Sequence, residues 1–390
     1  MNRSRWFQGA VGSLAVMLVV GALAVVAPAN ASNGHLNGAR EFDQPSGLAI
    51  GSGHLWVTNE AGDSVTEINP STGAWLASFV RSGGFGFNRP DAITRSGSNL
   101  FIANAGNSVT EMTSSSGAFV RNISGARFHF ADPVAITSWG PTIFVLNAGS
   151  ASVPGSITEL NARTGALVRT VSGATFAFVN PVALSVSGRD VFVADKGTNA
   201  ITEINGGNGA LVRVVRGQGL DSPDGVVFSN GRVWVADSAS NAATDINAST
   251  GAVVATYSDS DGPYGFGQPS TVIAAHGNVY VMTPFGTSPM VTKVSATNGT
   301  PYWFMCNTNG PYYFSLLSAF AVSGNDLWVA SRSGANSQTS GAATGSLTEM
   351  LITTGALITT LPNPSSTAPT TTSVPTTTTA VPTTTTTAAP

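Results

Sequence analysis

The sequence is poor in the residues that usually announce chemistry. Its 390 residues hold one cysteine, Cys306, and four histidines, at positions 35, 54, 129 and 276. A single thiol forms no internal disulfide, so the core must hold without staples, and Cys306 is expected to be buried within it. Charged residues are only 9% of the chain, 17 basic against 20 acidic, and the only lysines are Lys196 and Lys293. Without clustered Lys and Arg, nucleic acid is excluded as a partner. No Gly-x-Ser-x-Gly elbow, P-loop or zinc-spaced Cys/His set occurs. Gly83-Gly84-Phe85-Gly86 precedes no helical pattern and so reads as a turn rather than a phosphate cradle. Helical periodicity is missing from the whole centre of the chain.

The two ends differ from that centre. Arg3 and Arg5 precede an apolar run from about Val11 to Ala27, and Ala29-Asn30-Ala31 follows as an A-x-A site. This pattern reads as a secretory signal peptide over residues 1–31, with an uncleaved membrane anchor as the competing reading. Arg3 and Arg5 are separated by Ser4, so there is no twin-arginine pair. From residue 362 to 390 the composition collapses to Thr, Pro, Ala, Ser and Val. Such a tail has almost nothing to bury and is expected to be disordered, in the manner of O-glycosylated stalks. The mature chain is therefore expected to be secreted, without a membrane span, associated with the cell surface or wall, and monomeric.

What is present in residues 32–361 is a repeat. Trp56-Val57-Thr58-Asn59 returns as Phe101-Ile102-Ala103-Asn104, Phe144-Val145-Leu146-Asn147, Phe192-Val193-Ala194-Asp195 and Trp234-Val235-Ala236-Asp237. Weaker copies end in Thr283 and Ser331. Each unit opens on Phe-x-x-Pro, at Phe42, Phe87, Phe130, Phe178 and Phe266, with Leu220 and Phe314 opening variants. A short apolar stretch, the aromatic stretch and two further β-rich stretches follow, bounded by Gly, Asn and Pro. Four strands in 40 to 50 residues make one blade, and seven units predict an all-β, seven-bladed propeller. A solenoid would need polar capping units, which are missing. No Phe-x-x-Pro follows the last strand. Phe42-Asp43-Gln44-Pro45 supplies it from the other end, so the mature N-terminus is expected to lie beside the C-terminal strand and seal blades seven and one.

A ten-residue offset links Glu111 to Arg121, Glu159 to Arg169 and Glu203 to Arg213. If these pairs face each other across a hairpin, Met112 faces Val120, Leu160 faces Val168 and Ile204 faces Val212. The same offset pairs Ile68 with Leu76, Ile246 with Val254 and Met350 with Ile358.

On these residues the core resembles the YVTN/NHL group of propellers, which includes the virginiamycin B lyase-like proteins. The resemblance covers nearly all of residues 42 to 361. It implies the propeller fold, and among its members are enzymes, sensors and surface proteins. The lyase activity known in the group would need two histidines and a glutamate around magnesium, two of them in Glu-x-His, and this chain has no Glu-x-His. Lactonase-like members bind a divalent cation at the channel mouth. The position after the repeat proline offers Asp91 and Asp224, hard oxygen donors suited to calcium, although an aspartate after proline also caps a turn.

Two other sets stand out. The column Asn59, Asn104, Asn147, Asp195 and Asp237 either ties down loops through Asx-type bonds or presents polar groups to a ligand. In blade six the symmetry fails: Lys293 replaces the glutamate, and Trp303, Tyr312 and Tyr313 belong to an aromatic cluster suited to a protein or carbohydrate surface. No cofactor is otherwise implied. The leading expectation is a non-enzymatic binding or scaffold module for protein or glycan. A metal-dependent lactonase- or lyase-like enzyme is the alternative.

Overall fold

The computed structural model of the protein describes residues 42–284, 289–306, 312, 314–332 and 345–361. Regular structure among these is almost entirely β-strand, with single 3-10 turns at Arg81–Gly83 and Ala126–Phe128. The expected signal peptide, the Thr/Pro tail and Tyr313 lie outside the described residues.

Seven four-stranded antiparallel sheets form, each from four consecutive strands, over residues 45–80, 90–124, 133–171, 181–216, 223–258, 271–306 and 317–361. These are the blades. The first strands of neighbouring blades pack against one another all the way round, blade seven against blade one included, so they form the innermost ring. Second and third strands are buried along nearly their full length, and fourth strands form the outer rim. This explains why the aromatic stretch dominates the sequence: Trp56, Trp234, Trp328 and Tyr280 sit at the centre of their sheets with no solvent exposure.

Five connectors carry pairs of aromatics two residues apart, and each pair stacks. Ring centroids lie 5.3 Å apart for Phe85–Phe87, 5.6 Å for Phe128–Phe130 and 5.3 Å for Tyr264–Phe266. The second ring wedges between blades, as Phe87 does between blades one and two. A threonine stands in the middle of every third strand, and in five blades it hangs the connector in place. Thr110 donates to the Phe85 carbonyl at 3.1 Å, Thr158 to Phe128 at 2.9 Å and Thr292 to Tyr264 at 2.7 Å.

Glycine closes the seams further out. The turn between third and fourth strands places a glycine at positive φ in every blade: Gly73, Gly117, Gly165, Gly209, Gly251, Gly299 and Gly355. Each lies under a long side chain of the preceding blade, Phe79 on Gly117, Arg121 on Gly165, Tyr257 on Gly299 and Leu361 on Gly73. A Cβ there would meet that side chain.

Among the described residues no strand is exchanged between blades one and seven. Closure rests on an apolar cluster shared by the two blades (Phe42 and Val57 with Trp328 and Leu347), on Leu361 over Gly73, and on polar contacts that include a hydrogen bond from Gly345 N to the Phe42 carbonyl (2.7 Å) and one from Ser318 Oγ to the Pro45 carbonyl (2.6 Å).

The hairpin register is as expected at the charged pairs and differs inside them. Glu111 faces Arg121, Glu159 faces Arg169 and Glu203 faces Arg213. Met112, however, faces Phe119, Leu160 faces Leu167 and Ile204 faces Leu211, because a β-bulge follows each glutamate. The same bulge pairs Ile68 with Trp75, Ile246 with Val253 and Met350 with Leu357. The extra residue is left unpaired. Leu76, Val168, Val212, Val254 and Ile358 are therefore exposed on the rim rather than packed inside.

Candidate functional sites at the channel mouth and on blade six

The expected binding column is wholly buried. Asn104 Nδ2 donates to Ser108 Oγ and Thr110 Oγ1, both at 3.1 Å, while its Oδ1 accepts the connector N–H of Asn88 at 3.3 Å. Asn147 repeats this with Ser156, Thr158 and Ala131. Asn59 donates to Ser64 and Thr66. Asp195 accepts from the N–H groups of Val179 (2.8 Å), Asn180 and Thr198, the last a local Asx-type bond. Asp237 accepts from Asp221 N, and burial pushes its pKa up to about 7. Asn104, Asn147, Asp195 and Asp237 thus clamp the connector to its own blade, a longer reach than the local Asx turn alone, whereas Asn59 bonds only within its blade.

Asp91 and Asp224 stand at the innermost strands, and each meets a cation from another blade, Asp224 from the adjacent blade four and Asp91 from blade seven across blade one. Lys196 Nζ lies 2.8 and 2.7 Å from the two Asp224 oxygens and 3.4 Å from Ser238 Oγ. Arg332 Nη2 lies 3.7 Å from Asp91 Oδ1, while Arg332 Nη1 donates to Glu60 Oε2 at 2.8 Å. Glu60 Oε1 accepts from Arg89 at 2.7 Å. Burial holds the Asp91 carboxyl well above the usual range, and Glu60 adds to this against the pull of Arg332. A divalent cation at either aspartate would have to displace Arg332 or Lys196. Among the described residues, no three His, Cys, Asp or Glu side chains are grouped to hold a metal ion.

Glu60, Lys196 and Arg332 were not singled out from the sequence, yet a signal for them exists. They follow the buried column directly, at a position that is otherwise Ala105, Ala148, Ser238 and Pro284. Charge at three of seven copies marks a rim where blades differ.

The three described histidines are dispersed. His54 Nδ1 contacts Glu67 Oε1 on the adjacent strand, His276 Nε2 lies 2.9 Å from the Gly324 carbonyl, and His129 is exposed on a connector at positive φ. The His54–Glu67 contact matches Asn99 on Glu111 (2.6 Å) and Arg232 on Asp245 (2.7 Å) in other blades, so it belongs to the repeat. The outer arginines complete that ladder, with Arg121 Nε 2.8 Å from Glu111 and Arg213 Nε 2.9 Å from Glu203. Arg169 stays 3.5 Å from Glu159, too far to offset burial, and the Glu159 pKa rises to about 7.

In blade six Lys293 faces Trp303 instead. Lys293 is buried, and burial lowers its pKa. Its Nζ donates to the carbonyls of Ile352 (3.1 Å) and Thr353 (3.3 Å) on blade seven, and lies 5.5 to 5.9 Å from the ring centroids of Tyr302, Trp303 and Tyr280. Trp303 is half-buried and donates to Thr353; Tyr312 stacks on Phe314 and donates to the Gly355 carbonyl at 3.0 Å. The solvent-facing members of this strand are Tyr302 and Phe304, 54% and 42% exposed. Other blades carry Leu76, Val120, Val168, Val212, Val254 or Ile358 in place of Tyr302. In place of Phe304 they carry Ser78, Asn122, Thr170, Val214, Thr256 or Thr360.

No protein-family model and no curated protein matches this chain. Solved structures do. Selenomethionine-substituted virginiamycin B lyase from Staphylococcus aureus is 14% identical, with a TM-score of 0.60 over 75% of this chain and 92% of that one. The WD40 repeats of RRP9 give 13% identity and a TM-score of 0.60 over 75% and 88%. The computationally designed Ika8 protein gives 16% and 0.59 over 84% and 88%. At such identities the likeness is one of fold: this chain shares the architecture of the β-propellers.

Proposed function

We propose that the chain is an exported propeller of the YVTN/NHL type that acts as a non-enzymatic binding module at the cell surface, contacting carbohydrate or protein through the outer strand of blade six. One observation carries the reading: two aromatic side chains, Tyr302 and Phe304, stand exposed where the other blades place aliphatic or small polar residues. Exposed aromatic pairs concentrate at recognition surfaces because covering them removes much apolar area at little entropic cost. The Lys293–Trp303 arrangement beneath fixes the strand that presents them. The signal-like N-terminal run and the Thr/Pro tail support export and display on a stalk.

The test uses the chain from residue 32 onward on glycan arrays and in pull-downs with cell-wall material. Binding should fall at least about tenfold, about 1.4 kcal/mol, in the double variant Tyr302→Ala, Phe304→Ala, with the melting temperature unchanged. A wild-type protein that binds nothing in both screens would overturn the proposal. Calorimetric titration with calcium tests the enzymatic alternative at Asp91 and Asp224. Heat of binding that disappears in Asp91→Ala would favour the alternative.

A further inference from the structure

The seam between blades six and seven departs from the other seams at its inner end. The second residue after the repeat proline is small in the other blades: Gly47, Ala92, Ala135, Ala183, Gly225 and Ala319. That smallness lets first strands approach closely, since a Cβ on Gly225 would come within 2.7 Å of the Ser270 carbonyl. Blade six places Thr271 there, and its first strand touches that of blade seven far less than any other neighbouring pair touch.

Blade seven departs at the same place. Its second strand ends in Ser331 where blades one to three end in asparagine. Ser331 lies two residues beyond Val329, which packs with blade-six residues, so it shares the face turned to blade six. Ser346 is its direct cross-strand partner. In blades two and three the equivalent serines, Ser108 and Ser156, receive a hydrogen bond from the asparagine amide. From the other side, Thr271 pairs with Met282, which also packs against blade seven. Ser270 stands where Ser46 reaches across to the next blade's Pro90 carbonyl.

Four hydroxyls thus face one seam from its two sides, at the same end. Ser270, Thr271, Ser331 and Ser346 are each 4% exposed or less, and among the described residues none of the four hydroxyls has a hydrogen-bond partner. Buried hydroxyls without partners are costly, and a small polar space with several donors and acceptors is what ordered water occupies.

We infer that the inner end of the blade six–seven seam is a hydration site, holding buried water where the asparagine carboxamide sits in blades one to three. Water bridges Ser331 and Ser346 to the blade-six hydroxyls and stands in for the missing side chain.

A high-resolution crystal structure of the mature chain tests this, together with the variant Ser331→Asn. The wild type should show ordered water within hydrogen-bond reach of Ser331 and Ser346. In Ser331→Asn the carboxamide should replace that water, donate to Ser346 and Thr348, and raise the melting temperature by about 2 °C. A wild-type seam that is dry, or filled by protein side chains, overturns the inference whether or not the variant folds. So does a Ser331→Asn variant that keeps the water unchanged.

Discussion

Arg332 Nη1 donates to Glu60 Oε2 at 2.8 Å, and this contact ties blade seven to blade one where the ring closes, among the described residues, without exchanging a strand. The side chains are 20% and 13% exposed, so the pair is only weakly screened by salt. Removing Arg332 leaves Glu60, still paired with Arg89, and the buried Asp91 carboxyl without the cation that stands between them. Arg332→Met should therefore cost about 2 kcal/mol in urea unfolding, more than an exposed ion pair would. In a double-mutant cycle with Glu60→Gln the coupling should be about 1 kcal/mol or more. Coupling near zero would mean that closure rests on apolar packing and backbone contacts alone.

The glycine ring makes a second prediction. Gly97 and Gly117 both have positive φ, but only at Gly117 would a Cβ collide with another side chain, the Phe79 ring of the preceding blade. Gly97→Ala should cost about 1 kcal/mol from backbone conformation alone. Gly117→Ala should cost about 2 kcal/mol more, and Phe79→Ala in the same chain should recover part of the difference. Equal costs at the two positions would show that the outer seam is loose enough to absorb a methyl group.

The bulged hairpins show why fold and site were unequally legible. Charge complementarity identified Glu111 with Arg121, because only one residue of each sign was available. It could not place Met112, since Phe119 and Val120 are adjacent and both apolar, and only the bulge decides which one stands opposite it. The repeat exposed the architecture because the aromatic stretch must fill the same space seven times. The rim residues were harder. Asp91 was visible by position, but its dependence on Arg332 joins residues 241 positions apart that only ring closure brings together. Tyr302 was hidden for a related reason: Trp303 is the larger ring, and the register turns Trp303 inward onto Lys293.

Glu349 supplies a pH test. Its partner across the hairpin is Thr359, where blades two to four have arginine. Burial, with Asp326 adding repulsion, raises its pKa to about 7. The unfolded chain releases this proton near 4.5. The folded chain therefore holds the proton more tightly. This contribution to stability is complete below about pH 4.5, and it is lost as pH rises through about 7. Glu349→Gln should remove that slope and stabilise the protein at pH 8 by about 1–2 kcal/mol. Thr359→Arg should act in the same direction by rebuilding the ion pair. Urea midpoints at pH 5 and pH 8 decide it. An unchanged difference between wild type and Glu349→Gln across that range would rule out the raised pKa.

Blade six substitutes Lys293 facing Trp303 for the Glu–Arg pair, and the two solutions should be exchangeable only together. Lys293→Glu alone sets a carboxylate near the Ile352 and Thr353 carbonyls that Nζ now satisfies. It should cost about 2–3 kcal/mol. Trp303→Arg alone puts a second cation beside Lys293 and removes the ring that lies 5.9 Å from Tyr280, which should cost a similar amount. The double variant recreates the pairing of Glu111 with Arg121, whose guanidinium also reaches the Arg163 carbonyl of the next blade at 3.2 Å. An arginine at 303 has the Thr353 carbonyl in the corresponding place. The two changes together should therefore cost at least about 1.5 kcal/mol less than their sum. The ligand binding proposed for Tyr302 and Phe304 should weaken even where stability recovers, because the rigid lysine–tryptophan layer beneath them is gone. Additive costs would show instead that the two pairings are not alternative fillings of one space.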